Sequence, residues 1–150
     1  QAQDTETFNA AAHWVFGYLT AAGGYLEDTF DLTPWQSPDT IMAQVTQFCE
    51  VNPEMPLIEA TLAYVRYLYP QRLVAQSDIV EVRAGGRGVK IYEVLITRLQ
   101  EELAEQGFYS GEIGAAFDAE TAEAIRDAQR SAGIPVTGLP DGRTLLHLMR

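Results

Sequence analysis

The stretch that decides the fold runs Leu99-Gln100, then Gly107-Phe108-Tyr109-Ser110-Gly111-Glu112-Ile113, Phe117, Glu120-Thr121, Ala124-Ile125, Gln129, Gly133, Thr137-Gly138, and Asp141 through Thr144-Leu145. From Tyr92 the apolar residues Val94, Leu95, Leu99 and Leu103 recur at helical spacing, with Glu101, Glu102 and Glu105 on the solvent side and Gly107 as the stop. A second helix is predicted from about Ala119 to Ala132. Its Glu120, Glu123 and Asp127 face outward, Ile125 and Ala128 face inward, and Gly133 stands where a helix C-terminus needs left-handed backbone. A third, Asp141 to Met149, closes the unit with Leu145, Leu146 and Leu148. Gly107 and Gly111 allow Phe108-Tyr109 to fold back across the helix ends as an aromatic wedge. Thr121 and Thr144 fall in first turns, where a hydroxyl can satisfy an orphan amide. Gln129 lies on an otherwise apolar face, and its amide is expected to fix the Thr137-Gly138 loop through backbone hydrogen bonds.

Working outward, residues 71–91 change character. Ile79, Val80 and Val82, then Val89 and Ile91, flank Ala84-Gly85-Gly86-Arg87-Gly88 and predict a short β-hairpin packed on a neighbour, since an isolated hairpin is marginal in water. Arg83, Arg87 and Lys90 make the chain's basic cluster at its tip.

Residues 1–70 read as a helical domain. Phe8, Ala11, Ala12, Val15, Tyr18 and Leu19 stripe a helix from Asp4 to Ala22, which Gly23-Gly24 is expected to stop. Ser37-Pro38-Asp39 supplies an N-cap, a first-turn proline and a first-turn acid for a helix reaching about Glu50, with Ile41, Val45 and Phe48 inward and Asn52-Pro53 as its break. A helix from Pro56 to Tyr69 turns Leu57, Ala60, Thr61, Tyr64 and Leu68 to one side, and Pro70 closes it. The fold class is mainly α: a helical domain over 1–70, a hairpin connector over 71–91 and a three-helix module over 92–150.

The ordered set quoted at the outset resembles the type 1 peptidoglycan-binding domain, whose signature is a Leu-Gln helix, Gly-Phe-Tyr, a helix opening on Thr with Gln near its end, then Thr-Gly and Thr-Leu. The resemblance implies a groove for peptidoglycan or a muropeptide, with Phe108, Tyr109, Ile113, Phe117, Gln129, Thr137 and Asp141 as its expected lining. Two departures bear on it. Gly114-Ala115 stands where the family has Asp-Gly before the Phe, and Asp118-Ala119 where it has Gly-Pro after, so the turn is expected to be altered. In the amino-terminal half, Trp14, Gly17-Tyr18, Phe48-Cys49 and Asn52-Pro53 are similar to the HdeA-like group of periplasmic helical proteins. That likeness implies a compact periplasmic domain, in some members an acid-stress chaperone.

Composition bounds the function. The 150 residues are 47% apolar with a formal charge of −11, and residues 1–70 carry nine acids against one base. Such a surface repels phosphate backbones, so nucleic acid is not expected as a partner. The apolar runs fall far short of the roughly 20 residues needed to span a bilayer. Cys49 is the only cysteine, which excludes an intrachain disulfide, and its neighbours Val45 and Phe48 favour a buried apolar role. Gln1-Ala2-Gln3 suits the start of a chain after signal-peptide removal.

A wall hydrolase needs a zinc cluster, a Cys–His pair or a carboxylate pair in a cleft. His13 and His147 lie in opposite halves, and no nucleophile elbow or phosphate-binding glycine loop is present, so no catalytic residue, metal or cofactor is assigned. The expected protein is a non-catalytic component of the bacterial envelope or periplasm, binding peptidoglycan through its carboxy-terminal module and another envelope protein through its amino-terminal domain. Phe30, Trp35, Arg83 and Arg87 are the candidate partner contacts. The alternatives are an adaptor subunit that reuses the wall-binding fold for docking, and an acid-stress chaperone.

Overall fold

The computed structural model describes residues 2–149; the expected cleavage point at Gln1 lies outside them. The chain forms two compact units, residues 1–76 and 77–150. In the first, helices α1 (Ala2–Tyr25), α2 (Pro38–Val51) and α3 (Leu57–Leu68) are followed by a 3₁₀ turn, Tyr69–Gln71. In the second, strands β1 (Ile79–Ala84) and β2 (Arg87–Tyr92) precede helices α4 (Glu93–Glu105), α5 (Ala119–Ala132) and α6 (Gly142–Leu148). The fold is mainly α, as its periodicity predicts.

The first unit is built on the predicted stripes. Val15 and Leu19 of α1, Ile41 and Val45 of α2, and Tyr64, Val65 and Leu68 of α3 meet around Leu32 in one core, with Phe16, Met42, Cys49 and Leu57 packed at its edge. Each such buried apolar side chain contributes about 1.5–3 kcal/mol. Ser37 caps α2 through its Oγ, which accepts from the Thr40 amide at 3.2 Å. The connection after α3 returns through an antiparallel bridge between Asp31 and Leu73, and Arg72 lies 3.7 Å over the Tyr69 ring. Three local expectations need correction. α1 runs through Gly23-Gly24 to Tyr25, because neither glycine adopts left-handed backbone. Phe8 and Phe48 sit at the ends of their stripes and are exposed, and Cys49 is only half-buried.

In the second unit, β1 and β2 pair antiparallel from Ile79↔Tyr92 to Ala84↔Arg87. That register leaves the two-residue loop Gly85-Gly86, with φ of +56° and +77°. Two consecutive positive φ values mark the turn whose twist matches paired strands, and glycine takes them without a Cβ clash. The alternation turns Val82 and Ile91 inward, and β2 packs on α4. Leu95, Ile96, Leu99 and Leu103 of α4 are fully buried against α5 and α6, joined by Ile125, Ala128, Leu145 and Leu148.

Helices α4 and α5 end in the same way. After α4, the Phe108 amide donates to the Leu103 carbonyl and the Gly107 amide to that of Ala104, with Gly107 at φ +79°. After α5, the Ile134 and Gly133 amides donate to the carbonyls of Gln129 and Arg130, with Gly133 at φ +66°. This paired closure satisfies carbonyls a helix end would otherwise leave open.

Candidate functional site

The loops that follow α4 and α5 are tied down by two buried glutamines in matching arrangements. Gln129, fully buried on α5, accepts at Oε1 from the Thr137 and Gly138 amides at 2.8 and 2.9 Å. Its Nε2 donates to Thr137 Oγ1 at 2.9 Å, Thr144 Oγ1 at 2.8 Å and the Leu139 carbonyl at 3.3 Å. On α4, the equally buried Gln100 accepts at Oε1 from the Gly114 amide at 2.8 Å, and its Nε2 donates to the Ala116 carbonyl and to Thr121 Oγ1, both at 2.9 Å. Each threonine hydroxyl in turn donates to the aspartate that caps its helix. Thr121 meets Asp118 Oδ1 at 2.8 Å, and Thr144 meets Asp141 Oδ1 at 2.9 Å.

The same aspartate oxygens accept from the Thr121 and Thr144 amides at 2.7 and 3.0 Å. The orphan amides of α5 and α6 are therefore satisfied by Asp118 and Asp141, and the expectation that threonine hydroxyls do this is corrected. The hydroxyls instead link cap to glutamine. Asp118 titrates below the ordinary carboxylate range, first because the Thr121 amide and then because its hydroxyl stabilises the charged form. Gln100 holds the 114–116 turn closed through its bonds to the Gly114 amide and the Ala116 carbonyl, and Ala119 takes the first helical position of α5.

Among the candidate ligand contacts, Tyr109 and Gln129 are buried. The Tyr109 hydroxyl donates to the Glu112 carbonyl at 2.9 Å, and a Cβ on Gly111 would lie 2.7 Å from the Tyr109 ring, so Gly111 is the space this ring occupies. Thr137 and Asp141 are half-buried and joined to each other at 3.3 Å and to the Gln129 knot, and Phe108 is half-buried behind the end of α4. Ile113 and Phe117 remain. Ile113 is 45% exposed, and Phe117 lines a shallow concavity of about 380 Å³ with Ala115, Ile96 of α4, and Val80, Glu81, Val82 and Arg83 of β1.

Sequence reasoning placed Arg83 in a partner site and Phe117 in a ligand groove; the structure brings them to one concavity. It missed Val80 and Val82, for which strand alternation was the available signal, and Ile96 of α4 and Ala115 of the following loop, which no local pattern marks. Arg83 pairs with Glu81 at 2.8 Å, both exposed. Arg87 is exposed at the end of the hairpin and is absent from the lining. In the first unit Phe30 is 46% exposed but Trp35 is buried, so the two do not form one open apolar patch. The described residues contain no cluster of three or more His, Cys, Asp or Glu able to hold a metal, and no helix long and apolar enough to cross a membrane.

Residues 94–148 match the family described as "Putative peptidoglycan binding domain", so the matched segment begins in α4 and contains both glutamine arrangements. The hairpin lies just before it. Among solved structures, the crystal structure of the SleB N-terminal domain is 28% identical, covering 49% of this chain and 92% of that one, with a TM-score of 0.37. No curated protein matches the chain.

Proposed function

We propose that this chain is a non-catalytic protein of the bacterial envelope that holds peptidoglycan in the concavity between β1 and the 113–118 loop. The observation that carries the reading is the position of that concavity: Phe117 and Ala115, within the segment matching the peptidoglycan-binding family, face Val80, Val82 and Arg83 of the hairpin. A half-buried Phe117 ring offers an apolar face to the C–H side of a sugar, and Ile113 extends that face. Arg83 supplies donors for a stem-peptide carboxylate. Its pair with Glu81 is solvent-exposed, and such pairs are worth about 0.2–1 kcal/mol, so the guanidinium is free to exchange partners. The hairpin, residues 79–92, carries three bases, Arg83, Arg87 and Lys90, against one acid, Glu81, which gives it a local attraction for carboxylates that the rest of the acidic chain lacks.

In this reading residues 1–70 face another envelope protein, residues 71–91 connect and lend β1 to the wall site, residues 92–150 supply the rest of that site, and the chain works outside the cytoplasmic membrane after signal-peptide removal. The test is retention on purified sacculi. The parent chain is expected in the pellet, with binding reduced at least about tenfold in Phe117→Ala and in Arg83→Ala, neither of which disturbs a buried polar group. Retention no greater than that of an unrelated acidic protein removes wall binding. Unchanged retention in both variants moves it away from this concavity.

A further inference from the structure

The concavity of the second unit is bounded on one side by four consecutive residues of β1, Val80, Glu81, Val82 and Arg83. Successive strand side chains point to opposite faces, so four lining residues in a row place the concavity along the edge of the strand. That edge is open, because β1 pairs with β2 alone. A ligand there meets main chain.

The ladder decides which main-chain groups it meets. In an antiparallel pair, facing residues alternate between those that exchange N–H···O bonds and those that turn these groups away from the partner strand. The Glu93 amide donates to the Asp78 carbonyl at 2.8 Å, one step beyond the register, so Val80↔Ile91, Val82↔Val89 and Ala84↔Arg87 are the bonded pairs. Glu81 and Arg83 therefore direct their N–H and C=O groups outward, along the concavity. Among the described residues no other backbone group pairs with them, and both residues are exposed. Charged side chains commonly guard such an edge. Here they are drawn aside: Glu81 Oε1 lies over Gly88 of β2, 2.6 Å from where a Cβ would stand, and Arg83 pairs with it at 2.8 Å. The charged pair thus leans over the face of the hairpin, and the edge stays uncovered.

We propose that peptidoglycan is held at this site by its stem peptide, whose amide groups pair with the main-chain N–H and C=O groups of Glu81 and Arg83. This rests on the wall-binding reading above and names the part of the polymer that enters. The stem peptide carries amides in sequence, whereas the glycan carries them singly on its N-acetyl groups. Along β1 the two outward residues are about 7 Å apart, the spacing at which groups on one side of an extended peptide recur. Pairing of main chain with main chain supplies affinity without selecting side chains. The shallow floor of Ile96, Ala115 and Phe117 has room for small apolar side chains, which suits alanine methyl groups. Arg83, whose exposed ion pair exchanges readily, stands beside the edge for the peptide's terminal carboxylate.

The test titrates the full chain, labelled with ¹⁵N, with a muropeptide carrying its stem tetrapeptide and with the same disaccharide freed of peptide. The muropeptide is expected to shift the Glu81 and Arg83 amide signals and slow their hydrogen exchange, and the disaccharide to bind at least about tenfold more weakly. Glu81→Pro removes one outward N–H at a position where an edge strand tolerates proline, while Glu81→Thr removes the same carboxylate and keeps the N–H. Retention on sacculi is expected to be at least about tenfold lower for Glu81→Pro than for Glu81→Thr. Protection of the Val82 and Val89 amides reports whether the hairpin is intact in both, and the comparison of muropeptide with disaccharide, made in the parent chain, does not depend on it. Equal retention of the two variants overturns the proposal, as does equal affinity for muropeptide and disaccharide; with the parent chain still in the sacculus pellet, either result leaves wall binding standing. A parent chain absent from the pellet overturns both. Sedimentation that finds a dimer of the parent chain, dissolved by Glu81→Pro, assigns the edge to a second copy and also overturns the proposal.

Discussion

Replacing Gln129 by Leu tests the physical logic of the second unit most directly. The substitution keeps approximate volume and removes five hydrogen bonds from a fully buried position. The Thr137 and Gly138 amides lose their acceptor, and Thr144 Oγ1 and the Leu139 carbonyl lose a donor. Leaving a buried polar group unsatisfied costs about 1–3 kcal/mol, so two orphaned amides alone predict roughly 2–6 kcal/mol. Gln100→Leu orphans one backbone amide, that of Gly114, and is expected to cost about half as much. For a unit of this size each kcal/mol lowers Tm by about 4–8 °C, so Gln129→Leu should fall by at least about 8 °C, a large share of a typical domain's stability. Both tryptophans, Trp14 and Trp35, lie in residues 1–76, so their fluorescence is a poor monitor. Hydrogen exchange at the Thr137 and Gly138 amides, with urea unfolding followed by circular dichroism, reads the second unit. Unchanged protection at both amides, or a smaller loss in Gln129→Leu than in Gln100→Leu, refutes the reasoning.

Three more outcomes follow from the same geometry. Gly111→Ala forces a Cβ to within 2.7 Å of the Tyr109 ring and 2.9 Å of Glu120, and should lose about 1–3 kcal/mol by urea titration, whereas Gly114→Ala, with nothing within 4 Å, should stay within about 0.5 kcal/mol. Asp118 has a folded pKa below its ordinary 3.8, so its contribution is complete above that value and is lost as pH falls through the lower folded one; melts between pH 5 and 2 should show a shallower acid loss in Asp118→Asn, which still caps. Parallel curves for the two proteins would exclude that linkage. Gly86→Val places a β-branched residue at φ +77°, a left-handed position costing roughly 1–2 kcal/mol, and should speed exchange of the β1 and β2 amides while sparing α6.

The amino-acid sequence determined the local pieces. Apolar periodicity and breakers located the helices, Ser37 marked a cap, Gly85-Gly86 marked a hairpin loop, and the Leu99-to-Leu145 pattern carried the family likeness, because all of these depend on interactions a few residues apart. Gln129 on an apolar face was also readable as a loop anchor, since a buried amide must find partners. Tertiary structure alone decided which of these residues stay exposed. Tyr109 and Trp35 are buried while Ile113 and Phe30 are exposed, and composition cannot distinguish such aromatics and aliphatics before the helices pack. The glycine pair in α1 shows the same division. As sequence it reads as a helix stop, and only the folded chain shows α1 continuing through it to Tyr25. Burial and concavity are properties of how segments far apart in the chain meet, so local pattern does not encode them one residue at a time.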